Sequence, residues 1–359
     1  MAPVVLELRR YSELAETTLI STGQHDEILL AALATFGLKP DADLGIMRHG
    51  QTLAQVTTRA LDGIAALISD SKPNLVIGQG DTTTTFVAAL AAFYSSVPFA
   101  HVEAGLRTDS IQNPFPEEFN RRVAGLVAKL HFPPTSWAKE NLLKEGKDPL
   151  TVFVTGNTGI DAVLEAAENT RTPWFPNHAG RVLLLTTHRR ENWGEPQRRI
   201  AEAALTLVNQ FPDTLLVVPM HPNPQVRDLL TSILGGHDRI ELIEPPEYPN
   251  FVKLMQRCTL ILSDSGGVQE EAPAFGLPVL VLRDTTERPE GVHAGTAKLV
   301  GTDRDRIVEE GRRLLGDGDA YRAMAQAVSP YGDGHASARV RYRVFEFLGL
   351  DTPDVPDWN

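Results

Sequence analysis

Leu260-Ile-Leu-Ser-Asp264-Ser265-Gly266-Gly267-Val-Gln-Glu270-Glu271 is the stretch whose reading sets the fold class. It opens with an apolar run of strand length and no helical period, as expected for a strand buried on both faces of a parallel sheet. The run stops at Ser-Gly-Gly and a helical stretch follows. Two glycines let the backbone come close to a ligand. The free N–H groups of a helix start, with the helix dipole behind them, favour a phosphate or diphosphate. Glu271 lies about a turn further on, where a carboxylate can accept from ribose hydroxyls. The segment also reads as a strand–helix turn whose glycines serve packing alone.

The same rhythm of apolar run, turn and helix extends in both directions. After a loop-like stretch at Thr170–Gly180, holding Pro173 and Pro176, strands are predicted at Val182–Thr186, Leu215–Pro219, Ile240–Ile243, Leu260–Ser263 and Pro278–Leu282. Before it, strands are predicted at Thr18–Ser21, Asn74–Gly78, Pro98–Val102 and Val152–Thr155. Helices are predicted at Glu27–Phe36, Leu53–Ile68, Thr84–Tyr94, Glu117–Leu130 and Trp137–Glu145. A last helix, His335–Leu348, follows the turn-rich Ser329-Pro-Tyr-Gly-Asp-Gly334. Two such blocks joined by a Pro-containing linker predict an α/β fold: two doubly wound, Rossmann-like domains facing a cleft. Their expected extents are 1–168, with 335–359 packing back on it, and 169–334. The chain opens with a helix-like stretch, Pro3–Tyr11, where such a domain ordinarily begins with a buried strand and its loop.

Composition narrows the function classes. Of 359 residues, 42% are hydrophobic and 22% charged, which suits an ordinary globular protein with a large core. A net charge of −12 and a pI near 5.3 argue against general nucleic-acid or anionic-membrane binding. Cys258 is the single cysteine, so no intramolecular disulfide forms, which fits a reducing, cytoplasmic setting. No basic-then-apolar leader opens the sequence, and no apolar run approaches the ~20 residues of a membrane span. No His-Glu-x-x-His or paired cysteines suggest a metal. The Asp-x-Asp pairs at Asp41–Asp43, Asp303–Asp305 and Asp317–Asp319 follow none of the predicted strands, so no metal site is expected.

Four further segments place reactive side chains just past strands, at the edge where α/β active sites lie. Gly78-Gln-Gly80-Asp81 is an incomplete dinucleotide fingerprint, since Thr83 stands in the third glycine's place. Asp81 there reads equally as a helix cap or as an active-site carboxylate. His101-Val-Glu103-Ala-Gly105-Leu-Arg107 brings Glu103 past a strand. Pro116-Glu117-Glu118-Phe-Asn120-Arg121 opens a helix, in which Glu117 and Arg121 also read as an i,i+4 surface pair. Thr187-His188-Arg189-Arg190-Glu191 sets a histidine beside two arginines, suited to proton transfer near an anion. Arg283-Asp-Thr-Thr-Glu287-Arg288-Pro-Glu290 reads as a solvated loop or as one whose Arg283 faces a phosphate.

Taken in order, Gly80-Asp-Thr-Thr-Thr-Thr85, His101-Val-Glu-Ala-Gly-Leu-Arg107, Pro116-Glu-Glu-x-Asn-Arg121, Thr155-Gly-Asn-Thr158, His188-Arg-Arg-Glu191, Asp264-Ser-Gly-Gly-x-Gln-Glu-Glu271, Arg283-Asp-Thr-Thr-Glu-Arg-Pro-Glu290 and Pro330-Tyr-Gly-Asp-Gly334 strongly resemble the non-hydrolysing UDP-N-acetylglucosamine 2-epimerases. The match covers nearly the whole chain. The resemblance implies a glycosyltransferase-B-type fold, usually a homodimer, that interconverts UDP-GlcNAc and UDP-ManNAc without a redox cofactor. Because C2 has no adjacent carbonyl to acidify its hydrogen, UDP is expelled first to leave an unsaturated 2-acetamidoglucal. UDP then re-adds, with C2 protonated on the other face. By matching motif positions, the resemblance assigns Asp81, Glu103, Glu117 and His188 to the acid–base set and Arg121 to charge stabilisation. It assigns Ser265, Gly266, Gly267, Glu271 and Arg283 to UDP. It also points to Gln24, His25, Arg59 and His221 for the activator site of allosteric members.

The family pattern departs at the start, where a strand and a Gly-Thr-Arg-Pro-Glu loop, with an arginine near UDP, would precede Met1; their loss would weaken fold and activity. Ser329 and His293 are smaller departures. Other readings of the same residues are a hydrolysing relative, a glycosyltransferase of the same fold, and a shortened, inactive UDP-sugar-binding protein.

Overall fold

The computed structural model of the protein describes residues 1–23, 26–48, 50–108, 110–170 and 173–358. The chain divides into two compact units, Met1–Ala162 with Tyr331–Asn359, and Val163–Pro330.

In unit 1 the chain runs through α1 (Ala2–Arg9), β1 (Ile20–Ser21), α2 (Asp26–Thr35), β2 (Ala42–Asp43), α3 (Leu53–Ser71), β3 (Val76–Gln79), α4 (Thr83–Tyr94), β4 (Phe99–Val102), α5 (Glu117–Val127), β5 (Leu130–Phe132) and α6 (Ser136–Lys144). Helix α3 shows how local sequence makes these elements. Thr52 and Gln55 form a reciprocal capping box at its start, and Val56, Ala60, Ile64 and Ile68 recur every fourth residue on its buried stripe. Strands β3, β4 and β5 form a parallel sheet in that order, and β1 and β2 form a separate parallel pair. Phe99 on β4 packs with Val87, Ala91 and Ile64 of α3 and α4 on one side. Ala100, Val102 and Phe132 pack with Val4, Leu8, Val340 and Val344 on the other.

Helix α7 (Thr158–Asn169) carries the chain into unit 2. There follow β6 (Arg181–Thr186), α8 (Glu195–Gln210), β7 (Thr214–Pro219), α9 (Pro224–Leu234), β8 (Ile240–Ile243), α10 (Tyr248–Arg257), β9 (Leu260–Ser263), α11 (Gly266–Glu271), β10 (Val279–Val281), α12 (Pro289–Ala294), β11 (Ala297–Leu299), α13 (Arg304–Gly316) and α14 (Gly318–Ala325). The chain then returns to unit 1 as α15 (Ala336–Leu348). The sheet is parallel throughout in the order β8-β7-β6-β9-β10-β11. In chain order that is 3-2-1-4-5-6, the doubly wound arrangement whose strand order reverses between β6 and β9. Alternate residues feed the two faces: Leu183, Leu185, Leu260 and Leu262 pack with α8, α9 and α13, while Val182, Leu184, Ile261 and Val279 pack with α7 and α10. The fold is therefore the two-unit α/β architecture expected from the alternating strands and helices. No helix among the described residues is long and apolar enough to cross a membrane.

Three local expectations are corrected. Val152–Thr155 is not a ladder strand: Val152 makes one bridge to His131, and the N–H groups of Phe153 and Thr155 donate to the carbonyls of His131 and Pro133. A 3-10 turn at Pro149–Thr151 and left-handed Gly156 bracket the segment too closely for a ladder. Helix α5 ends at Val127 and not at Leu130, because Ala128 turns extended and Leu130 begins β5. A three-residue strand buried on both faces has no period of its own to set it apart from the preceding helix. The Thr18–Ser21 strand is confined to Ile20 and Ser21.

Candidate active site

In unit 1 the acidic candidates gather beyond the carboxyl ends of β3 and β4. The two strands pair Gln79 with Val102, so Gly80-Asp81 and Glu103 leave the sheet side by side. The cap of α4 is Thr82, whose hydroxyl accepts from the Thr85 N–H at 3.3 Å, and not Asp81. The Asp81 carboxylate instead accepts from Arg121 Nη2 at 2.6 Å, while Asn120 Nδ2 donates to the Asp81 carbonyl at 2.9 Å. Burial raises the Asp81 pKa above the usual carboxylate range against the pull of Arg121, and the charge of Glu117 pushes the same way.

Arg121 does not make the i,i+4 pair with Glu117. Its ion pairs run to Asp81 and, at 3.5 Å, to the fully buried Glu118, which also holds Arg122 at 2.7 Å. With Glu118 taking the structural role, Glu117 at the first position of α5 stays close enough to act electrostatically on Asp81.

Glu103 adopts φ +60°, a left-handed conformation that costs a non-glycine residue on the order of 1–3 kcal/mol. Gln79 Nε2 donates to its Oε2 at 3.2 Å. Gly105, two residues on at φ +89°, lets the chain pass the Ala138 carbonyl, which an added Cβ would meet at 2.2 Å. His101, fully buried on β4, donates through Nε2 to the Gly80 carbonyl at 2.8 Å and so fixes the turn that carries Asp81. Burial drives its pKa down to about 4 against the pull of that carbonyl, leaving the ring neutral.

In unit 2 the candidates meet where the strand order reverses. Thr186 of β6 pairs with Ser263 of β9, so Thr187-His188 and Asp264-Ser265 leave the sheet together. His188 Nδ1 lies 2.9 Å from Asp264 Oδ1. Ser265 caps α11, and its hydroxyl faces the Val268 N–H. A Cβ at Gly266 would stand 3.3 Å from the guanidinium carbon of Arg288, so the glycine lets that cation lie against the helix start. Arg288 Nε donates to Glu270 at 2.6 Å. Glu271 accepts from the Tyr248 hydroxyl at 3.1 Å, and burial raises its pKa to about 7 against that hydrogen bond.

Arg283 is buried and held by two carboxylates, Glu191 at 2.7 Å and Glu287 at 2.6 Å, which ties the loops after β6 and β10 together. Arg59 on α3 donates to Gln51 Oε1 at 2.7 Å and to the Ile46 carbonyl at 3.3 Å. His221, just past β7, accepts through Nδ1 from the Asn223 N–H at 3.2 Å. Gln24 and His25 lie outside the described residues. The described residues hold no group of three His, Cys, Asp or Glu side chains placed to hold a metal ion.

Sequence reasoning gave no role to Asp264, Asn192, Tyr248, Gln79 or His101, though all but Asn192 and Tyr248 lie inside quoted motifs. For Gln79 and Asp264 the signal was the strand end each one flanks, while His101, Asn192 and Tyr248 carried no local signal. Turning that signal into a partner requires knowing which strands are neighbours.

Comparison with known proteins agrees over nearly the full length. The family model described as UDP-N-acetylglucosamine 2-epimerase matches residues 7–343. The UDP-N-acetylglucosamine 2-epimerase of Bacillus subtilis is 50% identical over 342 residues, covering 95% of this chain and 90% of that protein. A crystal structure of a UDP-N-acetylglucosamine 2-epimerase superposes with a TM-score of 0.92 at 45% identity, covering 100% of this chain and 95% of the other. The Neisseria meningitidis UDP-GlcNAc 2-epimerase, solved bound to UDP-GlcNAc, superposes with a TM-score of 0.82 at 44% identity and 96% coverage of both chains.

Proposed function

This chain belongs to the UDP-N-acetylglucosamine 2-epimerase family, and we propose a division of that reaction among its residues. The protein is a non-hydrolysing epimerase that interconverts UDP-N-acetylglucosamine and UDP-N-acetylmannosamine at C2. A base takes the C2 proton while the C1–oxygen bond to the diphosphate breaks, with the C–H electron pair forming the C1=C2 double bond and UDP leaving as the anion. In the return step a diphosphate oxygen bonds C1 again and an acid delivers a proton to the opposite face of C2. No electron is exchanged with a cofactor.

Unit 1 supplies the acid–base carboxyls Asp81, Glu103 and Glu117, with Arg121 stabilising charge. Unit 2 supplies His188 and holds UDP through Ser265, Gly266, Gly267 and Glu271, with Arg283 bracing the loops around them. The observation that carries this division is the setting of Asp81. A carboxyl whose pKa burial raises, bound to Arg121 and beside the charge of Glu117, has the surroundings expected of a group that exchanges a proton. Glu271, raised to about 7, suits a contact to ribose hydroxyls that strengthens as it ionises.

The enzyme is a homodimer acting in the cytoplasm. Exposed Phe93, Tyr94 and Leu126 on α4 and α5 supply apolar surface for a second copy, and the single buried thiol suits a reducing compartment. Arg59 and His221 belong to an activator site for a second UDP-GlcNAc. Sedimentation at micromolar concentration checks the dimer, and a monomer would remove it.

Proton NMR with UDP-GlcNAc in D2O tests the reaction. The expected products are UDP-ManNAc and UDP-GlcNAc, both carrying deuterium at C2. Free ManNAc and UDP as the main products would place the chain with hydrolysing enzymes.

A further inference from the structure

The loop after β9 holds a carboxylate that the reaction as described does not use. Asp264 is fully buried, and five donors converge on it. The Thr187 hydroxyl and the Arg189 N–H each donate at 3.1 Å, the His188 N–H at 3.0 Å, the Asn192 amide at 2.9 Å, and His188 Nδ1 completes the set at 2.9 Å. Burial opposes its charge, but the His188 imidazole and these N–H donors outweigh it and hold the carboxyl below its usual range.

An ionised carboxylate only accepts. His188 must therefore carry a proton on Nδ1, facing Asp264, and the neutral form of the ring has its lone pair on Nε2. The His188 side chain is 44% exposed, so that second nitrogen is within reach of a ligand. Asn192 shows that the carboxylate is itself held in place. The two hydrogens of its buried amide go to Asp264 Oδ2 and, at 3.2 Å, to the Leu282 carbonyl at the end of β10. Both partners are acceptors, so the amide orientation is fixed as well. The ring, the carboxylate and the amide thus form a chain from the reactive nitrogen to the neighbouring strand, with each proton position determined.

We propose that Asp264 is the positioning residue of His188: it fixes the Nδ1–H tautomer so that Nε2 alone meets the UDP-sugar, and Asn192 locks Asp264 from behind. This rests on the place given to His188 in the epimerisation. A histidine without such an anchor divides its proton between two nitrogens and turns about its side-chain bonds, and both losses fall on the reacting state.

Two readouts on the full chain test it. The first is long-range proton–nitrogen NMR of the histidine-labelled protein, with the His188 signals assigned by their loss in His188→Asn. The neutral ring is expected as Nδ1–H in the wild type and predominantly Nε2–H in Asp264→Asn. The second is turnover. Asp264→Asn is expected to lower kcat by about 10²-fold or more with KM changed by less than about 3-fold, Asp264→Glu to recover part of it, and Asp264→Asn to add little in a His188→Asn background. If Asp264→Asn does not fold, the wild-type tautomer and the kcat of Asn192→Ala decide instead. A wild-type His188 found as Nε2–H, or an Asp264→Asn enzyme with near-normal kcat, overturns the proposal. A wild type that binds UDP without exchanging the C2 proton overturns the epimerase reading, and the role of His188 falls with it.

Discussion

The two units use parallel strands in the same way and pay very differently for what they place at the strand ends. Among the described residues unit 2 has six strands in one parallel sheet, and the inner residues of β6, β7, β9 and β10 are apolar and buried. Its fully buried carboxylate, Asp264, is served by five donors. Among the described residues unit 1 has a three-stranded sheet and a separate pair, and its core holds His101 and His131 on adjacent paired strands, with no hydrogen-bond partner at Nδ1 of either. It also carries the raised carboxyl of Asp81 and left-handed Glu103. Holding a nucleotide needs fixed donors and acceptors, which a regular sheet supplies without strain. Moving a proton needs a carboxyl whose charged form is not over-stabilised, and burial raises Asp81 in this way at the expense of stability.

Four outcomes would sharpen or break this contrast. The largest falls on unit 1. Glu117→Gln is expected to cut turnover by about 10²-fold or more while UDP affinity is kept. Near-normal turnover in a coupled assay would remove Glu117 from the chemistry.

Next is acid stability. Burial lowers the pKa of His101 to about 4 and that of His131 to about 3, from 6.5 in the unfolded chain. The unfolded state then binds more protons below pH 6.5, so native stability is whole above that value and is lost as pH falls toward 4. For His101 the loss is on the order of 3 kcal/mol. Hydrogen exchange across this window should open β3–β5 before β6–β10, and the reverse order would contradict the contrast between the units.

A smaller effect falls on unit 2. Glu271→Ala should weaken UDP binding by about 1.5–3 kcal/mol and leave the bound substrate's turnover closer to normal. Calorimetry showing unchanged affinity would withdraw Glu271 from the ribose. The smallest effect is in pH. The Glu271 carboxyl, raised to about 7 in the folded protein, accepts hydroxyls most strongly when ionised, so UDP-GlcNAc affinity should rise by up to about 10-fold from pH 6 to pH 8. The diphosphate diester does not titrate there, and Glu271→Gln should flatten the curve. A slope that survives in Glu271→Gln belongs to another group.

Some of this was legible in the residues themselves. Apolar runs ending in Gly80-Asp81, Glu103, His188 and Ser265-Gly266-Gly267 marked strand ends, and the strands at Ile240–Ile243 and Leu260–Ser263 have the observed limits. Where the reading failed, the cause was short range. Leu130–Phe132 was too brief to show a period of its own after α5. Glu117–Arg121 had the spacing of a helical pair, yet Arg121 turned to Asp81, a partner 40 residues earlier in the chain that helix geometry alone cannot supply.

The sequence by itself determined the family, the α/β class and the residue types of the chemistry, because strand, turn and helix are encoded within a few residues of one another. Tertiary structure decided the partners. His188 and Asp264 are 76 residues apart and become neighbours because β6 and β9 are adjacent at the reversal of strand order. Asp81 and Glu103 leave the sheet side by side because β3 pairs with β4. Strand order is set by how the helices bury both faces of the sheet, a sum over the whole core that no local stretch contains.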